Sequence, residues 1–102
     1  MNRVEIVDVI AEELGFPKVF VDQVVREFEH QVGQTMHKGE SVVLRGFGKF
    51  EPRVRKARMG VNPRNPEERI EIPETVAPVF KAGKLLKDIV AGKILSATIK
   101  LI

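Results

Sequence analysis

The feature that most constrains this fold is a stretch of extended chain that loses its apolar face partway along. From Ser41 the hydrophobic period is two. Val42 and Leu44 alternate with Val43 and Arg45. After Gly46-Phe47-Gly48, Phe50, Pro52 and Val54 alternate with Glu51, Arg53 and Arg55. That is the pattern of half-buried strands joined by a tight turn. Past Arg55, the segment Lys56-Ala57-Arg58-Met59-Gly60-Val61-Asn62-Pro63-Arg64-Asn65-Pro66 has too little apolar surface to bury both sides of a strand. A third extended run, Arg69 to Pro73, returns, and Thr75 to Phe80 reaches the body again. The simplest interpretation is a long hairpin whose distal half projects into solvent. A two-stranded ribbon of that kind is marginal in water unless something binds it. Pro52 inside the alternating run implies an edge or a bulge.

The flanking segments have helical periodicity. Val7, Ile10, Ala11 and Leu14 recur at helical spacing, joined by Val4 and Ile6. Asn2 is placed to cap this helix, with Glu5 completing a capping-box-like pair and Gly15 ending it. Pro17 suits a first helical position, and a longer helix runs to about Lys38, stopped by Gly39. Its apolar stripe is Phe20, Val24, Phe28, Val32 and Met36, flanked by Val21 and Val25. Valine is a weak helix former, so burial must stabilise this segment. A C-terminal helical segment covers 81–92, opened by Lys84, with Leu86, Ile89 and Val90 on one face. Gly92 weakens its continuation, and 93–102 is left as an extension without an assigned role. The class is α+β in a single domain: a helical part over 1–40, a sheet over 41–80 with its arm at about 53–73, and the C-terminal helix.

A chain of 102 residues with six Phe and neither Trp nor Tyr has a small core. Chains this short often complete the core with a second subunit. There is no Cys, which excludes disulfides and thiolate metal sites. Asp8, Glu12 and Glu13 interrupt any apolar leader, and no run reaches membrane-spanning length, so a soluble cytoplasmic protein without a membrane partner is expected.

The net charge of +3 conceals an uneven distribution. Residues 1–40 carry four bases against eight acids, whereas 49–64 carry six bases and one acid. From Lys81 onward there are five bases and one acid. An acidic support presenting a basic surface suits a polyanion partner. Catalysis finds little support: His30 and His37 lie seven apart on one helix without companion ligands, and no phosphate loop or nucleophile elbow occurs. No metal, cofactor or enzymatic activity is expected. Bases repeated along a projecting ribbon instead suit phosphate binding, which displaces condensed counterions. Near the tip, Asn62-Pro63 sets an apolar ring on a turn, and such a wedge can enter between base pairs.

Three separated motifs, Gly46-Phe47-Gly48-Lys49-Phe50, Arg58-Met59-Gly60-Val61-Asn62-Pro63 and Phe80-Lys81-Ala82-Gly83-Lys84-Leu85-Leu86-Lys87, together resemble the bacterial HU and integration host factor family. Met1-Asn2-Arg3 and Asp8-Val9-Ile10-Ala11-Glu12 also look like that family's first helix, so the resemblance covers roughly Met1 to Ala91. It implies two N-terminal helices, a three-stranded antiparallel sheet with a protruding β-ribbon, a C-terminal helix, and an intertwined dimer with Phe47, Phe50 and Phe80 in its shared core. It implies a histone-like, nucleoid-associated protein that bends and compacts double-stranded DNA through the minor groove, with little sequence specificity and a preference for bent or distorted duplexes. This family is itself a known example of such binding, so the mechanism comes from the resemblance and not from spacing. The residues implicated are Arg53, Arg55, Lys56, Arg58, Asn62 and Arg64 on the arm, with Pro63 as the intercalating wedge. Arg3, Lys81, Lys84 and Lys87 match the saddle beneath the DNA, and Arg45 joins them. The resemblance allows a homodimer or a heterodimer with a paralogue.

Departures from the family pattern cluster at the tip. Val61 stands where the family usually has a base, and Asn65-Pro66 replaces a common Thr-Gly pair. The returning strand looks one residue longer, and Glu67, Glu68 and Glu71 make it acidic. Two other readings follow. Arg45-Gly46-Phe47-Gly48 resembles the β subunit of integration host factor, a site-preferring protein, although Val43 replaces a Glu that subunit uses in discrimination. The acidic returning strand suits a structural interaction module that reuses the fold without bending DNA.

Overall fold

The computed structural model describes residues 1–101. They form two compact units, Met1–Thr35 and a second from Met36 onward.

The first unit is built from α1 (Arg3–Leu14) and most of α2 (Lys18–His37). Asn2 caps α1 as expected, its Oδ1 accepting from the Glu5 backbone N–H at 2.9 Å. This satisfies one of the donors a helix start leaves without a partner. The Gly15 N–H closes the helix on Ala11 O at 2.9 Å. Pro17 falls just outside α2, its carbonyl accepting from the Val21 N–H at 3.1 Å.

Val7, Ala11 and Val21 are buried together, with Ile10 and Val25 packed against them. The face of α2 buried beside α1 is therefore the valine flank. The aromatic stripe behaves differently from a core stripe: Phe20, Val24 and Phe28 remain 50%, 52% and 44% exposed. Only Val32 of that row is buried. An apolar helix face left this open calls for a covering surface.

The second unit holds β1 (Val42–Leu44), β2 (Gly48–Arg55), β3 (Arg58–Asn62), β4 (Asn65–Ile72), β5 (Thr75–Ala82) and α3 (Lys84–Val90). β1, β2 and β5 form one antiparallel sheet in that order, and β3 pairs with β4 in a second. Val42↔Phe50↔Phe80 is a continuous rung across the three strands.

Pro52 is tolerated for the reason its position suggested. β1 pairs with β2 only from Gly48 to Phe50, so β2 is an edge on that side by residue 52. On the other side Pro52 faces Pro78. Two residues without N–H groups can stand opposite each other where neither donates to the ladder.

Around the tight turn, Gly46 has φ of +80°, which a side chain would strain. A Cβ on Gly48 would lie 2.5 Å from the Phe80 ring and 2.6 Å from the Lys81 carbonyl. The glycines thus bring the turn close to β5, and Phe80 meets Phe47 and Phe50 at centroid distances of 5.5 and 4.8 Å. The turn also docks on the start of α3, with Leu86 N–H donating to Gly46 O and Gly83 N–H to Phe47 O.

Two expected boundaries move. The returning strand starts at Asn65, four residues before Arg69, because the register shifts between Val61 and Asn62 and the extra length sits on β4. Residues 81 and 82 of the expected 81–92 segment belong to β5, which runs to Ala82; the helix itself opens at Lys84, as expected, and ends at Val90. Beyond Gly92, Ser96–Leu101 wind into a 3-10 helix packed alongside α3. No helix among the described residues is long and apolar enough to cross a membrane.

Candidate nucleic-acid interface

Alternation along β2 and β5 sorts their side chains onto two faces. Phe50, Pro52 and Val54 share one face with Phe80, Pro78 and Val76. Lys49, Glu51, Arg53 and Arg55 share the other with Lys81, Val79, Ala77 and Thr75. The apolar face is incompletely covered, with Phe80 still 42% exposed. The opposite face is cationic around a single acid.

That acid is Glu51. Its carboxylate lies 3.0 Å from Lys81 Nζ, 2.9 Å from Arg53 Nη2 and 3.3 Å from Lys49 Nζ. Lys49 and Arg53 flank Glu51 on the same face of β2, and the register, which sets Lys81 opposite Lys49, delivers the third cation. Hydrogen bonds from Lys81, then Arg53, then Lys49 hold the Glu51 carboxyl down at about 2, so it stays ionised far into acid.

Farther out, the pairing between β2 and β5 ends at Arg55↔Thr75, and the ribbon resumes at Arg58↔Ile72. Lys56-Ala57 and Pro73-Glu74 lie between the two sheets. Arg55, Lys56 and Arg58 surround a cleft of about 270 Å³ at this joint, together with Ile72, Pro73 and Thr75. Among the described residues these three cations have no carboxylate within ion-pair distance. They are available to an incoming anion in a way that Lys49, Arg53 and Lys81 are not.

The tip is braced by Asn62. Its Oδ1 accepts from the Arg64 backbone N–H at 3.0 Å, and its Nδ2 donates to Glu68 at 3.0 Å. Asn65 Oδ1 accepts from the Glu67 N–H at 3.3 Å. These contacts set Pro63 and Arg64 at the turn, both exposed. One acid of the returning strand, Glu68, is thus engaged with Asn62.

The remaining expected contact residues are dispersed. Arg45 is exposed in the turn after β1, and Lys84 and Lys87 lie exposed on α3. Arg3, in the helical unit, is held by Glu29, with Nε at 3.0 Å and Nη2 at 2.6 Å. That pairing raises the arginine's pKa further above its ordinary value. Two cations were missed by sequence reasoning. Lys49 was legible from its alternation with Glu51 and Arg53. Arg69 was not, because its place opposite Val61 depends on the register shift.

A three-stranded sheet with a cationic face, extended by a ribbon with a proline at its tip, defines a class of nucleic-acid binder. The comparisons place the chain within it. Residues 1–91 match the family described as bacterial DNA-binding protein, and the chain belongs to that family. It is 43% identical to DNA-binding protein HU of Nostoc sp., over 89% of this chain and 96% of that protein. It is 42% identical to DNA-binding protein HU 1 of Bacillus subtilis, over 91% of this chain and all of that protein. Among solved structures, an Anabaena HU–DNA cocrystal structure superposes with a TM-score of 0.83 at 43% identity, covering 89% of this chain and 98% of that one.

Proposed function

We propose that the protein is a histone-like architectural DNA-binding protein that bends and compacts double-stranded DNA through the minor groove with little sequence specificity. The observation that carries this reading is the ribbon itself: unengaged Arg55, Lys56 and Arg58 at its base and an exposed Pro63 at its braced tip. Cations at the base bind phosphates and gain from counterion release. The proline ring enters a base step, whose unstacking costs a few kcal/mol and is offset by contacts the bent duplex brings within reach. Neither interaction selects a sequence strongly. The mechanism is binding and deformation, without catalysis, and its place is the cytoplasmic nucleoid.

The working unit is a homodimer. The open row Phe20, Val24 and Phe28 on α2 and the half-covered Phe80 on the sheet are apolar surfaces of the kind a second copy covers. Phe47, Phe50 and Phe80 then contribute to a shared core, and each copy supplies one arm. The test is a binding and bending assay on plain, nicked and cruciform DNA. Salt-sensitive binding to all three, tightest on the distorted forms whose deformation cost is partly removed, is the expected result. Binding that ignores salt, or is confined to one sequence, overturns the reading.

A further inference from the structure

We propose that Arg69, on the returning strand, is a DNA-contact residue that enters the minor groove together with Met59 and Val61. This rests on the minor-groove reading above and names a further binding residue within it. The ribbon has two unlike faces. On one, Gly60 lies opposite Ile70, and Ile72 folds over the glycine so that its Cδ1 would be 2.7 Å from a Cβ there. That face carries Ile72 packed over the glycine, an Ile70 still 42% exposed, and Arg58. On the other, Val61 pairs with Arg69 and Met59 with Glu71. Met59 and Val61 are each 58% exposed. Arg69 is exposed and, among the described residues, lies within ion-pair distance of no carboxylate. Glu71 sits two rungs nearer the body on the same face, and the nearest acid toward the tip, Glu68, is engaged with Asn62.

The result is a guanidinium beside two apolar side chains, close to the tip. Sugar walls of the minor groove offer apolar C–H surface, and a narrow groove concentrates negative potential that favours an inserted Arg. β3 alone supplies no base between Arg58 and the tip; the rung at Val61 receives its charge from across the ladder. The register shift makes this possible, because continuing the tip's pairing without the shift would set a different β4 residue opposite Val61.

The experiment compares wild type, Arg69→Gln and the exchange Val61→Arg/Arg69→Val, measuring affinity against salt on random duplex and on the same duplex with inosine for guanine. Inosine removes the amino group from the minor groove. Arg69→Gln should weaken binding several-fold and flatten the log–log salt dependence by about 0.9. The exchange should restore both, since the charge moves only across one rung. Wild type should gain more from inosine than Arg69→Gln does. An unchanged affinity and slope in Arg69→Gln, beside salt-dependent wild-type binding, overturns this inference and leaves the DNA-bending reading standing. Equal inosine gains place Arg69 on phosphates and overturn the groove assignment. Wild-type binding without salt dependence overturns both.

Discussion

The sheet and the ribbon carry the same cationic side chains, yet hold them differently. On the sheet, Lys49, Arg53 and Lys81 converge on Glu51. At the ribbon's base, Arg55, Lys56 and Arg58 surround an open cleft without an acid among them. Lys49 and Arg53 each lie two residues from Glu51 on its own strand and face, whereas no acid stands two residues from Arg55. Register adds to the difference: Lys81, opposite Lys49, reaches Glu51 diagonally, whereas Thr75 stands opposite Arg55. A cation already paired in the free protein must exchange one anion for another on binding, so it contributes less to affinity than an unpaired one. On the proposed reading, the sheet is a pre-neutralised platform and the ribbon is the element that captures the polyanion.

The largest expected effect tests whether the platform stands alone. If, as proposed, a second copy covers its apolar face and the open row on α2, the thermal midpoint should fall on large dilution. A midpoint independent of concentration, with a monomer mass in solution, would break the comparison at its base. Next, Arg55→Ala with Arg58→Ala should weaken binding alike on all sequences and reduce the log–log salt slope by about 0.9 for each phosphate no longer neutralised. Lys49→Ala should change the slope much less. Equal effects from both sets of substitutions would show that the ion pairs on the sheet make no difference.

Much of this contrast was legible before the fold was known. The loss of the apolar face past Arg55 located the ribbon, Asn2 and Gly15 bounded the first helix, and the turn glycines marked the hairpin. Three things were not legible. The register shift at Val61/Asn62 hid both the start of β4 at Asn65 and the pairing of Arg69, because strand periodicity says nothing about which residues face each other across a bulge. The Glu51 cluster was half visible, through Lys49 and Arg53 on alternate positions, but Lys81 joins it only through pairing between strands. The row Phe20, Val24 and Phe28 had the spacing of a core stripe, but spacing cannot distinguish a face buried within its own chain from one left exposed.

Smaller effects sharpen the comparison. Glu51→Gln releases Lys49, Arg53 and Lys81, so DNA binding should tighten modestly and its salt dependence should steepen. Unchanged or weaker binding would mean that Glu51 orders these cations productively. The same carboxylate sets a pH dependence. Its folded value of about 2 lies below the unperturbed 4.5, so its stabilising contribution is complete above about pH 4.5 and is lost as pH falls through 2. Glu51→Gln should remove that part of the acid sensitivity, measured by unfolding between pH 5 and 2; an unaltered pH profile would show that the ion pairs do not persist in solution.

The central claim, that a ribbon with unpaired cations at its base and Pro63 at its tip bends DNA, is tested most directly by fluorescence energy transfer between the ends of a short random-sequence duplex. Wild type at saturation should bring the ends closer, whatever the sequence. Pro63→Ala should bend the intact duplex less and bind it more weakly, while keeping much of its affinity for nicked DNA, where stacking is already broken. Equal end-to-end distances for wild type and Pro63→Ala at saturation would contradict the account, leaving Pro63 a turn residue and the ribbon a clamp without a wedge.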